Sequence, residues 1–443
     1  MKNESIYTKP ITLNTIITIV IPTIIMTLIQ ASYSMIDGMF ISNILGDLAL
    51  SALTLISPYL NFFIAIGALF ASGGSAVVMK KMGENKKSEA RRDFTTLTII
   101  AGVIGLILSL IFFIFTKPLV SIFNIEGIIF SRCMEYLSSY SFFIIPQILF
   151  AILQIFTIGS GNPKLAMITS LIGGATNIFL DFILIKALNL GMTGAAIASG
   201  VGMLLPCIIL ILNFMKKRGD LYFSTFKFDI KVILKTFSNG VSEFASNLAS
   251  GIVIMLFNSR MLAIAGPDGV AASTITFYVF GFMSALYMGY MLGVSPLLSY
   301  FYGSKESFKL RKIKNISITS IGIISIVTTI LAILSSNILV GAFTKTDSIS
   351  YTIASNGNKL FSIALLLVGF NTFSSMLFTA LSNGKISAII SFSRSFVFLS
   401  IAIIVLPSIL GINGLWLSVP LSELLAFIIS IFYIKKFKHK YNY

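Results

Sequence analysis

The chain has 443 residues, of which 56% are hydrophobic and only 11% charged, with a formal net charge of +16. A soluble domain carries about 25% charged residues, so this composition excludes a set of water-exposed domains. The cations fall in short loops between long apolar runs, which is the pattern of membrane topology signals and argues against nucleic-acid binding.

The opening stretch MKNESIYTKP is too short and polar for a cleaved signal peptide, and the apolar run after it is too long for a signal core. That run is therefore expected to stay as a transmembrane helix, since about 20 apolar residues cross a bilayer. Read onward, runs bounded by charge, Pro and Gly predict twelve helices: 13–42, 49–79, 93–117, 129–158, 164–187, 192–215, 233–263, 269–302, 313–340, 350–381, 386–409 and 413–434. The fold class expected is an all-α integral membrane protein. Counting alternate loops from the N-terminus places 25 Lys and Arg on one side, beginning with Lys2 and Lys9, and including Arg218. The other side has six (Lys117, Arg132, Lys186, Arg260, Lys345 and Lys359), and Arg394 lies inside the eleventh span. By the positive-inside rule both termini are expected in the cytoplasm.

The two halves of the chain match at an offset of 220 residues. Gly46 meets Gly266, Gly73 meets Gly293, Gly83 meets Gly303, Gly191 meets Gly411, and Arg91-Arg92 meet Arg311-Lys312; Lys164 meets Lys385 at 221. This reads as a duplication. It predicts two six-helix bundles related by a pseudo-twofold axis along the membrane normal, a plan suited to rocking around a central cavity. The expected division is an N-lobe at 1–215, a cytoplasmic linker at 216–232 and a C-lobe at 233–443 carrying a basic tail.

A carboxylate at bilayer depth costs several kcal/mol and normally faces a cavity or a partner. Asp37 in the first span, Asp181 in the fifth, Glu243 in the seventh and Glu423 in the twelfth stand out, and Arg394 is the intramembrane cation. Asn177 lies four residues before Asp181, on the same helix face. Such an oxygen-rich set suits H⁺ or Na⁺. Arg394 and Glu423 could pair with each other. Pro22 removes a backbone hydrogen bond inside the first span, a candidate hinge. Gln30 and Tyr33 on that span, and Tyr136, Tyr140, Gln147 and Gln154 on the fourth, suit a cavity for amphipathic ligands, because aromatic faces attract cations.

Enzyme chemistry would need a nucleophile with a base, or metal ligands, at a shared site. Cys133 and Cys207 lie apart in apolar context and read as packing residues, and His439 sits in the basic tail. No enzymatic activity, resident cofactor or metal-ligand cluster is expected.

The duplicated halves, Asp37-Gly-Met-Phe-Ile-Ser-Asn-Ile-Leu-Gly46, Gly159-Ser-Gly-Asn-Pro-Lys164 and Asn177…Asp181…Gly191…Gly194-Ala-Ala-Ile together resemble the multidrug and toxic compound extrusion (MATE) family, across essentially the whole chain. The resemblance implies efflux of organic, often cationic, compounds in exchange for H⁺ or Na⁺, by a monomer in a bacterial-type inner membrane. It is similar to the DNA-damage-inducible type. It implies an N-lobe cation site at Asp37, Asn177, Asp181 and Ser199, with Asp37, Asn177 and Asp181 as the candidate Na⁺ ligands. Relatives usually carry Thr at the position of Ser199. Pro22, Gln30 and Tyr136 match the same pattern, with Gln154 in place of an asparagine. Glu243 fits one member of an acidic pair that some relatives hold in the other lobe, but Asn371 stands on the tenth span where the second acid is sought. Coupling through the N-lobe is therefore the expectation, with Glu243, Asn371 and Arg394 as cavity or gating residues. A lipid-linked oligosaccharide flippase of the same superfamily is the alternative, although such proteins usually carry cationic cavities.

Overall fold

A left-handed glycine divides each of the two longest helical stretches. Residues 230–303 break at Gly266 (φ 65°) and the stretch beginning at Leu399 breaks at Gly411 (φ 57°). The computed structural model describes residues 7–217 and 219–443, with the backbone alone for Met39 and Asp47. Lys2 and Arg218, counted above among the cations of one side, lie outside the described residues. Among the described residues every regular element is helical. With the two breaks, ten long apolar stretches resolve into twelve.

These are α1 (Leu13–Phe40, closing in a π turn Ile41–Leu45), α2 (Asp47–Gly83), α3 (Lys87–Ile114) and α4 (Gly127–Tyr140 and Ile144–Gly159 about the 3-10 turn Ser141–Phe143). Next come α5 (Pro163–Asp181, then a π turn Phe182–Ala187) and α6 (Gly191–Met215). The second half has α7 (230–265), α8 (267–303), α9 (Ser307–Leu334) and α10 (Ile349–Ala380). It ends with α11 (384–410, interrupted by a π turn Ser393–Phe398) and α12 (412–441). Several expected boundaries shift, among them both ends of the ninth span, which runs Ser307–Leu334 and not 313–340. The third span starts at Lys87, because Lys87–Arg92 continue the helix beyond the apolar run. Likewise the segment read as a basic tail is the last part of α12, with His439 exposed on it.

The duplication is written in the backbone as well as in residue identities. At an offset of 220, α3 coincides with α9 at both ends, and the short helix Thr116–Ser121 coincides with Ser336–Gly341. The 3-10 turn of α4 recurs at Ser362–Ala364, at 221. Gly46 (φ 85°) and Gly191 (φ 58°) are the counterparts of the two breaks.

The halves meet through glycines at the end that carries the basic loops. A Cβ on Gly83 would lie 1.9 Å from the Tyr300 carbonyl oxygen, and one on Gly303 would lie 2.0 Å from that of Lys80. Gly73 of α2 faces Thr236 and Gly240 of α7, while its counterpart Gly293 of α8 faces Val20 and Thr23 of α1. Thr27 Oγ1 donates to the Ala285 carbonyl across the same seam at 2.7 Å. Small residues permit this backbone-to-backbone approach where lipid supplies no hydrophobic drive between helices. The strand of chain before α1 closes the seam. Tyr7 is buried, donates a hydrogen bond to the Gly159 carbonyl and stacks on Tyr300 with ring centroids 3.9 Å apart. Burial pushes the Tyr7 hydroxyl well above its ordinary pKa, so it stays a donor.

Between α6 and α7 the chain runs along α3. Ser224 N donates to Thr95 Oγ1 at 2.8 Å, Thr96 Oγ1 donates to the Lys227 carbonyl at 3.0 Å, and Lys87 pairs with Asp220 at 2.6 Å. Phe223 stacks on Phe94. On the outer side of α3, Leu106, Ile107, Leu110 and Phe113 are half-exposed, as a lipid-facing surface requires.

Candidate functional site

Asp37 sits one turn before the π turn that ends α1, and Asp181 is the last α-helical residue before the π turn of α5. The two π turns lie against each other. Wide turns of this kind re-aim side chains and recur at functional sites. Asn177 and Asp181 share a face of α5, and Asp37 lies within hydrogen-bonding reach of both. Asp181 is 0% exposed and Asn177 2%. Glycines bring the walls this close: a Cβ on Gly173 would lie 2.5 Å from the Gly202 carbonyl oxygen, so α5 and α6 pack backbone to backbone beside Asn177. Ser199 on α6 lies near the hydroxyl of Tyr136 of α4, whose ring stacks on Tyr140.

The site has acceptors without donors. Asp37 Oδ1, Asn177 Oδ1 and both Asp181 carboxylate oxygens are buried and lack a protein hydrogen-bond donor. Two adjacent carboxylates in such surroundings are costly while both are ionised and bare. A proton shared between them, or a small hard cation taking their oxygens, removes that cost. Among the described residues no three His, Cys, Asp or Glu side chains converge on one point, so a transition-metal centre does not fit. The donor set of two carboxylates, an amide and a nearby hydroxyl fits H⁺ or Na⁺.

The other candidates divide between two cavities. Gln30, Tyr33, Gln154 and Glu243 line a cavity of about 290 Å³ between the halves, so Glu243 reaches from the second half toward first-half residues. Gln30 Nε2 approaches Gln154 Oε1 at 3.4 Å, and Gln154 Nε2 donates to Ser170 Oγ at 2.6 Å. Tyr136 instead packs beside the acids. The helix runs through Pro22 without a non-helical residue, and Pro22 is buried between Val20 and Thr23, which face α8.

Asn371 and Arg394 belong to a separate network in the second half. Asn371 Nδ2 donates to Glu423 Oε2 at 2.7 Å, and Ser430 Oγ donates to Asn371 Oδ1 at 3.1 Å. Arg394, on the π turn of α11, donates from Nη1 to Thr372 Oγ1 at 3.0 Å and approaches Glu423 Oε1 at 3.5 Å. The pairing of Arg394 with Glu423 is thus present, though long. Glu423 and Arg394 line a second cavity of about 420 Å³ with Phe257, Phe277, Phe361 and Tyr287.

The sequence profile of the MatE family matches residues 22–183 and 241–405. The chain belongs to the MatE family. It is a membrane transporter of that family and not an enzyme. The two matched segments are one in each half, as the duplication requires. Multidrug export protein MepA of Staphylococcus aureus is 25% identical over 428 residues, covering 96% of this chain and 94% of the relative. MepA of Staphylococcus haemolyticus is 26% identical over 425 residues, covering 95% and 92%. In fold, the chain is similar to an outward-facing multidrug resistance MATE family transporter (TM-score 0.91, 20% identical, 97% of each chain). It is equally similar to a Pyrococcus furiosus transporter of the MOP superfamily, described as having a binding pocket of reversed polarity (TM-score 0.92, 19% identical, 100% of each chain).

Sequence reasoning missed two features of this MatE member. The aromatic lining of the second-half cavity gave no signal, because Phe in a membrane chain reads equally as packing, lipid face or cavity wall. Asp93, nearly fully buried and paired with Lys81 at 2.6 Å, sits at the start of a predicted span beside Arg92, and that adjacency of charges was the available clue.

Proposed function

We propose that the chain is a multidrug efflux antiporter that exports organic, often cationic, compounds in exchange for H⁺ or Na⁺. The observation that carries this reading is the buried pair Asp37 and Asp181 with Asn177, whose oxygens lack donors, Asp37 lying one helical turn from Tyr33, which lines the cavity between the two halves. The multidrug export function of the MepA relatives supports the substrate class.

In this reading the basic end faces the cytoplasm of a bacterial-type inner membrane, the two halves are the lobes that rock, and the protein works as a monomer. The glycine seam and Tyr7 then form the cytoplasmic barrier, and the ion reaches Asp37 and Asp181 from outside. Binding of one such ion removes one of the two negative charges of the carboxylate pair and lets α1 and α5 approach more closely, which favours the state open to the cytoplasm. A ligand shifts such an equilibrium only by its differential affinity for the two states, and a pair of bare acids supplies a large differential. Glu243 and the Gln30, Tyr33 and Gln154 side chains attract the organic cation in the cavity between the halves. Pro22 serves as the hinge of α1. Among the described residues the cavity carrying Glu243 has no basic side chain to receive a pyrophosphate, which weighs against the flippase alternative.

The test is efflux of a fluorescent organic cation from proteoliposomes under separately imposed proton and sodium gradients. One gradient is expected to drive wild-type efflux, and Asp37→Asn and Asp181→Asn are each expected to abolish the driven component while leaving the melting curve cooperative. Undiminished gradient-driven efflux in both variants refutes the assignment.

A further inference from the structure

We propose that the apolar groove between α2, α3 and α7 is a binding site for an anionic phospholipid, which lays an acyl chain in the groove and its phosphate on Lys227 and Lys231. The site itself is independent of the transport reading above; its effect on the two halves rests on that reading.

The groove has a volume of about 540 Å³, and every residue lining it except Ser238 is apolar. Ile66, Leu69 and Phe70 of α2 are buried and form its floor, while Phe237 and Val241 of α7 stand exposed at its rim. Behind it the two helices meet backbone to backbone, since a Cβ on Gly240 would lie 2.1 Å from the Leu69 carbonyl oxygen. The groove is therefore closed toward the seam and open toward the bilayer. Edge-to-face pairs join the halves at two levels, Phe70 with Phe237 at 5.4 Å and Phe62 with Phe244 at 6.4 Å. Between Phe237 and Phe244 the helix rises roughly 10 Å, so the groove runs along the membrane-spanning direction, as an acyl chain does. An unfilled apolar gap forfeits packing contacts, and hydrocarbon is what the lipid side supplies to fill it.

Charge at the basic end of the groove decides the headgroup. Ile230 and Leu234 continue the helix face of Phe237 and Val241 and are 52% and 61% exposed, so the apolar strip runs on to the membrane surface. Lys227 and Lys231 flank that strip. Lys227 is fixed against α3 by Thr96, whose hydroxyl donates to its carbonyl at 3.0 Å and accepts from its amide at 3.3 Å. Lys231, in the first turn of α7, lies two turns before Ser238 on the same face. Both side chains are exposed, and among the described residues neither ammonium pairs with a carboxylate. Asp229, between them in the chain, accepts from the Lys231 amide with Oδ1. Lysines placed this way run their stems along apolar surface and hold their charges at headgroup level.

A phosphodiester between these ammonium groups receives charge-assisted hydrogen bonds. A choline headgroup brings a cation to the same pair and loses most of the attraction, so the site selects a net negative lipid. Its walls come from both halves, α2 and α3 from the first and α7 from the second. Parting of the halves at the basic end draws α7 away from α2 and removes the groove. A ligand that fits one state alone shifts the equilibrium toward it, so the bound lipid holds the seam closed.

The experiment releases the purified full chain from nanodiscs of mixed phosphatidylcholine and phosphatidylglycerol and counts the retained lipids by native mass spectrometry. The wild type is expected to keep phosphatidylglycerol in preference to phosphatidylcholine. K227Q/K231Q, which changes exposed side chains alone, should weaken that retention roughly 30-fold, about fivefold for each lysine. V241W, whose ring fills the groove from its exposed rim, should lose the lipid while both lysines remain. K435Q/K436Q, exposed lysines of α12, should leave retention unchanged. Equal retention of both lipids, undiminished phosphatidylglycerol in K227Q/K231Q or V241W, or an equal loss in K435Q/K436Q overturns the site. A dimer that forms as the lipid leaves would place a second copy in the groove and overturn it too. Spin labels on Ser88 and Ser307 then compare nanodiscs with and without phosphatidylglycerol, where the lipid is expected to enrich the shorter distance in the wild type and not in V241W. Selective retention with no change in distance overturns the effect on the halves and leaves the site standing, so the two failures are distinguishable.

Discussion

Replacing Gly83 with Ala would place a methyl group 1.9 Å from the Tyr300 carbonyl oxygen and 2.8 Å from the Ser304 amide nitrogen. Both neighbours are backbone atoms of α8 and its cap, so no side-chain rotation relieves the overlap. Overpacking of this kind costs about 1–3 kcal/mol where the surroundings cannot yield. Here they yield in one direction, by separating the halves at the basic end. The strain therefore falls on the closed state alone and is expected to move the equilibrium toward the state open at that end by roughly 5- to 150-fold. Spin labels on Ser88 and Ser307, placed on a background lacking the buried Cys133 and Cys207, report the distance between halves by double electron–electron resonance. Gly83→Ala is expected to enrich the longer distance, and Gly303→Ala to do the same. Gly281→Ala is the control, since a Cβ there meets nothing within 4 Å. An unchanged distance distribution in both interface variants, with the control also unchanged, refutes the seam as the closed barrier.

Tyr7→Phe removes the hydrogen bond to Gly159 but retains the stack on Tyr300, so it should shift the same distance distribution by about 1 kcal/mol, severalfold less than Tyr7→Ala. Gly173→Ala places a methyl 2.5 Å from the Gly202 carbonyl oxygen and should push α5 from α6, displacing Asn177 and Asp181. Ion-driven efflux is then expected to fall at least tenfold without any change to a charged residue, whereas retention of full coupling would show that the acids tolerate looser packing.

The twelve spans and the duplication were legible because apolar runs, glycines and loop cations are one-dimensional signals. A membrane helix shows its length in hydropathy, and a repeat shows itself as register. Helix ends were less legible. Hydropathy marks where a helix leaves lipid, not where it stops, so Lys87–Arg92 and the last turns of α12 read as loop and tail although both are helical. The association of Asp37, Asn177 and Asp181 could be anticipated, since acids are scarce in apolar helices and each therefore demands a reason. The setting of Arg394 could not. Its long approach to Glu423 depends on Asn371 holding the other oxygen, a three-body arrangement across three helices that spacing along the chain does not encode.

The connection between the halves has a mechanical reading. Seventeen residues, 216–232, were expected to link them; the chain is fastened to α3 as far as Lys227, and α7 begins at Ile230 with Asp229 capping it at 2.9 Å. The free tether is Phe228 and Asp229, and fully extended it reaches only about 10 Å from Lys227 to Ile230. Such a short leash holds one corner of the basic end almost fixed, so the halves cannot part there by translation. They must swing about that corner, so their separation grows with distance along the seam from the tether between Lys227 and Ile230.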